Sequence, residues 1–135
     1  MKLAVFLMTF VNDLSREEDP RPLDNAIYRE SDYATLVVEF LSIHYMESQS
    51  AAELAEICHL SESQLRRHFI AAYGMPPIAY RNFMRCKIAA QLLVRTDLSI
   101  SEISEKVGFS CTSDFYRAFM KHHSVSPSEY RNRRR

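Results

Sequence analysis

The sequence predicts an all-α fold in which two helix-turn-helix subdomains are joined by a long linker helix and preceded by an N-terminal helix and linker. Three observations lead there. Apolar residues return at intervals of three and four, the period of a helix buried along one face. Serine is followed three residues later by glutamate or glutamine at Ser50/Glu53, Ser61/Gln64 and Ser99/Glu102, the capping box that opens a helix. When the chain is slid by about fifty residues, Ser50 to Arg81 also lies over Ser99 to Arg131. Leu65, Arg67, Phe69, Pro77, Tyr80 and Arg81 then match Phe115, Arg117, Phe119, Pro127, Tyr130 and Arg131.

Each element has a local reason. Met1 to Val11 is apolar but too short to span a bilayer and lacks a small-residue cleavage site, so it reads as neither a membrane span nor a signal peptide. Residues 15–29 are acidic and broken by Pro20 and Pro22, which makes them a linker. Ser31 is expected to cap a helix to about Ser48, whose stripe is Leu36, Val37, Phe40, Leu41 and His44. The first motif spans about residues 50–74. His59 occupies its turn, where φ must be positive and histidine is better tolerated than most residues. Its second helix starts behind Ser61, turns Leu65, Phe69 and Ala72 inward, and ends at Gly74. Pro77 suits the first turn of the linker helix, which needs no N–H there; the helix should reach about Val94, roughly 25 Å.

The second motif spans about residues 99–123. Ile100, Ile103 and Val107 form its first stripe, Gly108 allows the sharp turn, and Phe109 plugs the space behind it. A helix beginning at Ser110 or within two residues should bury Phe115, Phe119 and His122. Ser126 to Tyr130 reads as a short closing helix, followed by a basic tail of Arg131, Arg133, Arg134 and Arg135.

The pieces Leu54, Ala55, Ser61, Leu65, Arg67, Phe69 and Gly74, then Ala89, Leu92 and Leu93, then Ile103, Gly108 and Phe109, and finally Phe115, Arg117, Phe119, Ser126, Pro127 and Tyr130 form a linked pattern. It resembles the DNA-binding domain of AraC/XylS transcriptional regulators over about Asp32 to Arg131. The resemblance implies homeodomain-like lobes, a bipartite DNA-binding domain over residues 31–135, and an activator that touches RNA polymerase. It also makes residues 1–14 an apolar helix or its remnant and residues 1–30 the remnant of, or connection to, an effector or dimerisation domain, and a homodimer through the N-terminal helix is an expectation. The chain departs from the family pattern at Ser124, where glycine is usual, at Ser104, where alanine is usual, and at Ile70 and Met120, positions often basic. A non-glycine residue in a left-handed position after a helix costs about 1 kcal/mol.

Charge distribution points the same way. The formal net charge is zero, yet residues 1–48 carry four basic and nine acidic side chains, leaving residues 49–135 with thirteen and eight. The half that holds both motifs is the basic one, the footprint of a polyanion partner. At about 100° per residue, Ser63, Arg66, Arg67 and Ile70 lie outward on one recognition helix. Ser113, Tyr116, Arg117 and Met120 do so on the other, with Thr112 at its start. An arginine fork grips guanine O6 and N7 or a phosphate pair. Arg81, Arg85 and Lys87 on the linker helix are further candidates, for the DNA backbone, with an ion pair as the alternative for Arg85.

The expected partner is double-stranded DNA, entered by two recognition helices in successive major grooves. The competing reading is a helical interaction module that keeps the scaffold without specific DNA binding. No cofactor, metal site, membrane association or catalysis is expected, because five histidines and three cysteines lack ligand spacing and no phosphate loop or nucleophile turn occurs. Three unpaired-looking cysteines suggest a reducing cytoplasm, with Cys58 and Cys86 as buried apolar groups.

Overall fold

The computed structural model describes residues 30–135; the apolar helix and acidic linker expected before them lie outside the described residues. The described residues form seven helices: α1 Glu30–His44, α2 Ala51–Ile57, α3 Glu62–Tyr73, α4 Pro77–Arg95, α5 Ile100–Val107, α6 Thr112–His123 and α7 Pro127–Arg134. They fall into two compact units. Among the described residues the first takes in Glu30–His44 together with Gln49–Tyr80, and the second Tyr45–Ser48 with Arg81–Arg135, so α4 begins in one unit and continues in the other.

In the first unit α1 and α2 pack against α3. Val37, Leu41, Leu54, Leu65 and Phe69 are fully buried or within 1 % of it, as the helical stripes require. Ser61 closes a complete capping box: its Oγ accepts from Gln64 N at 3.1 Å, and Gln64 Oε1 accepts from Ser61 N at 2.9 Å. The Ser50 hydroxyl caps α2 by accepting from Glu53 N at 3.1 Å. Ala72 was expected inward but is exposed. It lies in the last turn of α3, beyond the buried Phe69.

Helix α1 departs from expectation at both ends. It already includes Glu30, so Ser31 lies inside it, and it stops at His44 instead of Ser48. The reason for the early stop is tertiary. Tyr45–Ser48 is drawn into the second unit, where the buried Arg85 donates from Nε to Tyr45 O at 2.6 Å and from Nη2 to Glu47 O at 2.9 Å.

In the second unit Cys86, Ala89, Ala90 and Leu93 of α4 meet Ile103, Val107, Phe109, Phe115 and Phe119. Phe119 stacks on His123 with centroids 4.3 Å apart, and Tyr130 of α7 stands edge-on to Phe119 at 5.4 Å. His122 meets the Phe83 ring edge at 5.3 Å. Both imidazoles are held below their ordinary pKa, chiefly by burial.

The expected basic tail is structural for part of its length. Arg131 donates to the carbonyls of Leu93 at 2.9 Å, Thr96 at 3.3 Å and Leu98 at 2.7 Å, satisfying acceptors in the last turn of α4 and in the connection that follows it. Arg135 pairs with Asp97 at 2.9 Å.

The turns of the two motifs agree bond for bond. Leu60 N donates to Ala55 O at 3.0 Å and His59 N to Glu56 O at 3.1 Å; Phe109 N donates to Ser104 O at 3.0 Å and Gly108 N to Glu105 O at 3.1 Å. This pairing needs a left-handed residue just past the helix. His59 adopts φ 54° and Gly108 φ 106°. Ser124 takes φ 63° after α6, the equivalent of Gly74 at φ 76° after α3.

The glycines are not equally replaceable. A Cβ on Gly108 would lie 2.7 Å from Met46 O and 2.8 Å from Met46 Cα, whereas one on Gly74 would meet nothing within 4 Å. Gly74→Ala should therefore cost only the strain of a positive φ, about 1 kcal/mol. Gly108→Ala should cost clearly more, since main chain must move as well. Ser124→Gly should stabilise by up to about 1 kcal/mol. Urea denaturation midpoints of the three variants check this order.

Candidate nucleic-acid interface

Each recognition helix is anchored on one side, and that anchoring leaves the other side in solvent. In α3 the anchors are Leu65 at 1 % and Phe69 at 0 % exposure; in α6 they are Phe115 and Phe119, both at 0 %. Opposite them on α3, Ser63, Arg66, Arg67 and Ile70 are exposed and share one stripe. On α6, Ser113, Arg117 and Met120 are exposed and Tyr116 is half-buried beside them. Thr112, the first residue of α6, is half-buried. These seven expected stripe and start residues other than the apolar pair, Ser63, Arg66, Arg67, Thr112, Ser113, Tyr116 and Arg117, are thus placed at solvent or at its edge by the two helices.

The start of α6 has its own arrangement. Cys111 is the N-cap but makes no side-chain cap; its Sγ lies 3.3 Å from Ser113 Oγ. The Asp114 carboxyl is held below its ordinary pKa by hydrogen bonds from the Cys111 side chain and from Arg117. Arg117 forms an ion pair with Asp114 one turn earlier, with 78 % of the arginine side chain still exposed. An exposed pair of this kind exchanges readily for a stronger anion, because solvent screens it.

The three linker-helix candidates turn out differently. Arg85 was expected at the DNA backbone, and that expectation is corrected: it is 3 % exposed, its guanidinium is spent on the Tyr45 and Glu47 carbonyls, and it lies 5.3 Å over the Phe109 ring. Burial pushes its pKa down to about 10, with the Arg81 charge adding to the effect. The alternative of an ion pair is also replaced, since carbonyl oxygens are its acceptors. No sequence signal separates such an arginine from an exposed one; a helix period places Arg85 only near the edge of the apolar stripe. Arg81 is half-buried, and burial lowers its pKa from the ordinary arginine value. Lys87 is exposed.

Among the described residues no helix is long and apolar enough to cross a membrane. All three cysteines are free, with Cys58 and Cys86 buried and Cys111 exposed.

A helix-turn-helix domain model matches residues 54–133, which takes in both recognition helices and α4. The chain belongs to the AraC-type helix-turn-helix family. It is similar to the lactose operon transcription activator of Staphylococcus xylosus, 33% identical over 95 residues, which are 70% of this chain and 34% of that protein. In structure it is similar to the C-terminal domain of AraT, a response regulator from Geobacillus stearothermophilus, with TM-score 0.72 and 30% identity over 79% of this chain and 89% of that one. It is similar also to the DNA-binding domain of the global transcriptional factor AdpA in complex with a target DNA, with TM-score 0.69 and 25% identity over 74% and 90% of the respective chains. The AraC-type chain spans about a third of the length of the curated relatives it matches, 34%, 28% and 29% of three of them.

Two measurements check the assignments within the site. Arg85→Ala should destabilise the protein by about 1.5–3 kcal/mol for the charged hydrogen bonds it loses, read as a lower urea midpoint. In native protein at neutral pH one thiol, Cys111, should react quickly with a disulfide reagent. Cys58 and Cys86 should react only on unfolding, because burial pushes both thiols up to about 12 and the thiolate is the reactive form.

Proposed function

We propose that this AraC-type chain binds duplex DNA sequence-specifically and regulates transcription, with α3 and α6 as the two recognition helices. One observation carries the reading: the repeat puts an exposed arginine, Arg67 and Arg117, at the same register of both helices, directly opposite the aromatic anchors Phe69 and Phe119. An arginine fork at that place offers two parallel donors to a guanine edge or a phosphate. Arg66, Ser63, Ser113, Tyr116 and Thr112 supply the neighbouring contacts, and Arg81 a backbone contact from α4. The two helices enter successive major grooves of one duplex, about 34 Å apart, with the continuous helix α4 as the spacer.

Activation is supported by the similarity to the Staphylococcus xylosus transcription activator, and contact with RNA polymerase by the family resemblance. Dimerisation through residues 1–14 rests on that resemblance alone. Three free thiols favour a reducing cytoplasmic setting.

Retardation of random duplex DNA at low salt tests the reading first, and a scaffold without DNA binding would leave the duplex unretarded. Arg67→Ala and Arg117→Ala should each weaken binding to the preferred duplex by about 1–3 kcal/mol with little change in urea midpoint. Unchanged affinity in both folded variants overturns the role of the paired arginines.

A further inference from the structure

Each exposed stripe carries one apolar residue that the core does not claim. Ile70 is 38% and Met120 49% exposed, and the other large exposed hydrophobics among the described residues are Met46 and Tyr73. Ile70 stands three residues after Arg67 and Met120 three residues after Arg117, so each lies about one turn further along the same helix face. Isolated exposed apolar side chains are ordinary and need no explanation. Two of four at the same register of a duplicated motif, each one turn from an exposed arginine, are not scattered.

Neither side chain can hold a phosphate, since neither has a donor or a charge. The major groove presents one apolar feature, the C5 methyl group of thymine. Methionine is long and flexible enough to reach across a base step, while isoleucine is branched and stiff, suited to a methyl held at one place. Resting on the duplex-binding reading above, the geometry points to Ile70 and Met120 as specificity-determining residues that each read a thymine through its methyl group. The arginines supply polar readout, and the apolar pair distinguishes thymine from cytosine beside them.

The test uses the full chain and the tightest duplex selected from a random pool. Each thymine is replaced in turn by deoxyuridine, which removes the methyl and keeps the base pair. Loss of one contacted methyl should weaken binding about fourfold, the worth of one buried carbon. That penalty should vanish at one thymine in Met120→Ala and at a different thymine in Ile70→Ala, the non-additivity that marks direct contact. Circular dichroism establishes that both variants are folded. If every methyl penalty persists in both variants, or no thymine is methyl-sensitive, the assignment is overturned while duplex binding stands, and the apolar pair then faces a protein. If no duplex is bound at all, both readings fall together.

Discussion

A residue in the left-handed region stands between the paired helices of each motif, and the rest of each unit follows from it. Without φ near +54° at His59 or +106° at Gly108, the N–H groups after the turn would miss the carbonyls of Ala55 and Ser104. Those bonds end the first helix of each pair and let the second set off separately instead of running on. The turn lets both apolar stripes close on one small core. It is also what turns the far side of α3 and of α6 toward solvent, since a helix anchored by two large side chains has only one face left to show.

The two turns meet this constraint by different means. At His59 an ordinary residue accepts the strain on the surface. At Gly108 the main chain of Met46 approaches so closely that no side chain fits, and Arg85 bridges the same strap through Tyr45 and Glu47. Glycine there serves two needs at once, backbone sign and space. A buried guanidinium is costly to desolvate, and carbonyl partners offset that cost without a second buried charge. Arg131 does comparable work at the end of α4. Arg85 and Arg131 are thus spent on main-chain carbonyls, while Arg66, Arg67 and Arg117 stay exposed on the recognition faces.

The recognition faces themselves are alike in register and unlike in content. The first shows Ser63, Arg66, Arg67 and Ile70; the second shows Ser113, Tyr116, Arg117 and Met120, with Arg117 held against Asp114. On the proposed reading, unlike heads on one polypeptide read unlike half-sites. The two-fold symmetry that a dimer of single motifs imposes on its operator is then not required.

Much of this was legible in the residues. Helical periodicity, serine caps and the internal repeat specified most of the elements, the positive φ at His59, and which side of α3 and α6 stays in solvent, because each of these is decided within a few residues of chain, while the left-handed Ser124 was legible through the family pattern. The fate of Arg85 and Arg131, the stop of α1 at His44 and the double demand on Gly108 were decided only by tertiary structure. They depend on main-chain atoms about forty to sixty residues away in sequence, and the main chain carries no signature in the amino-acid sequence.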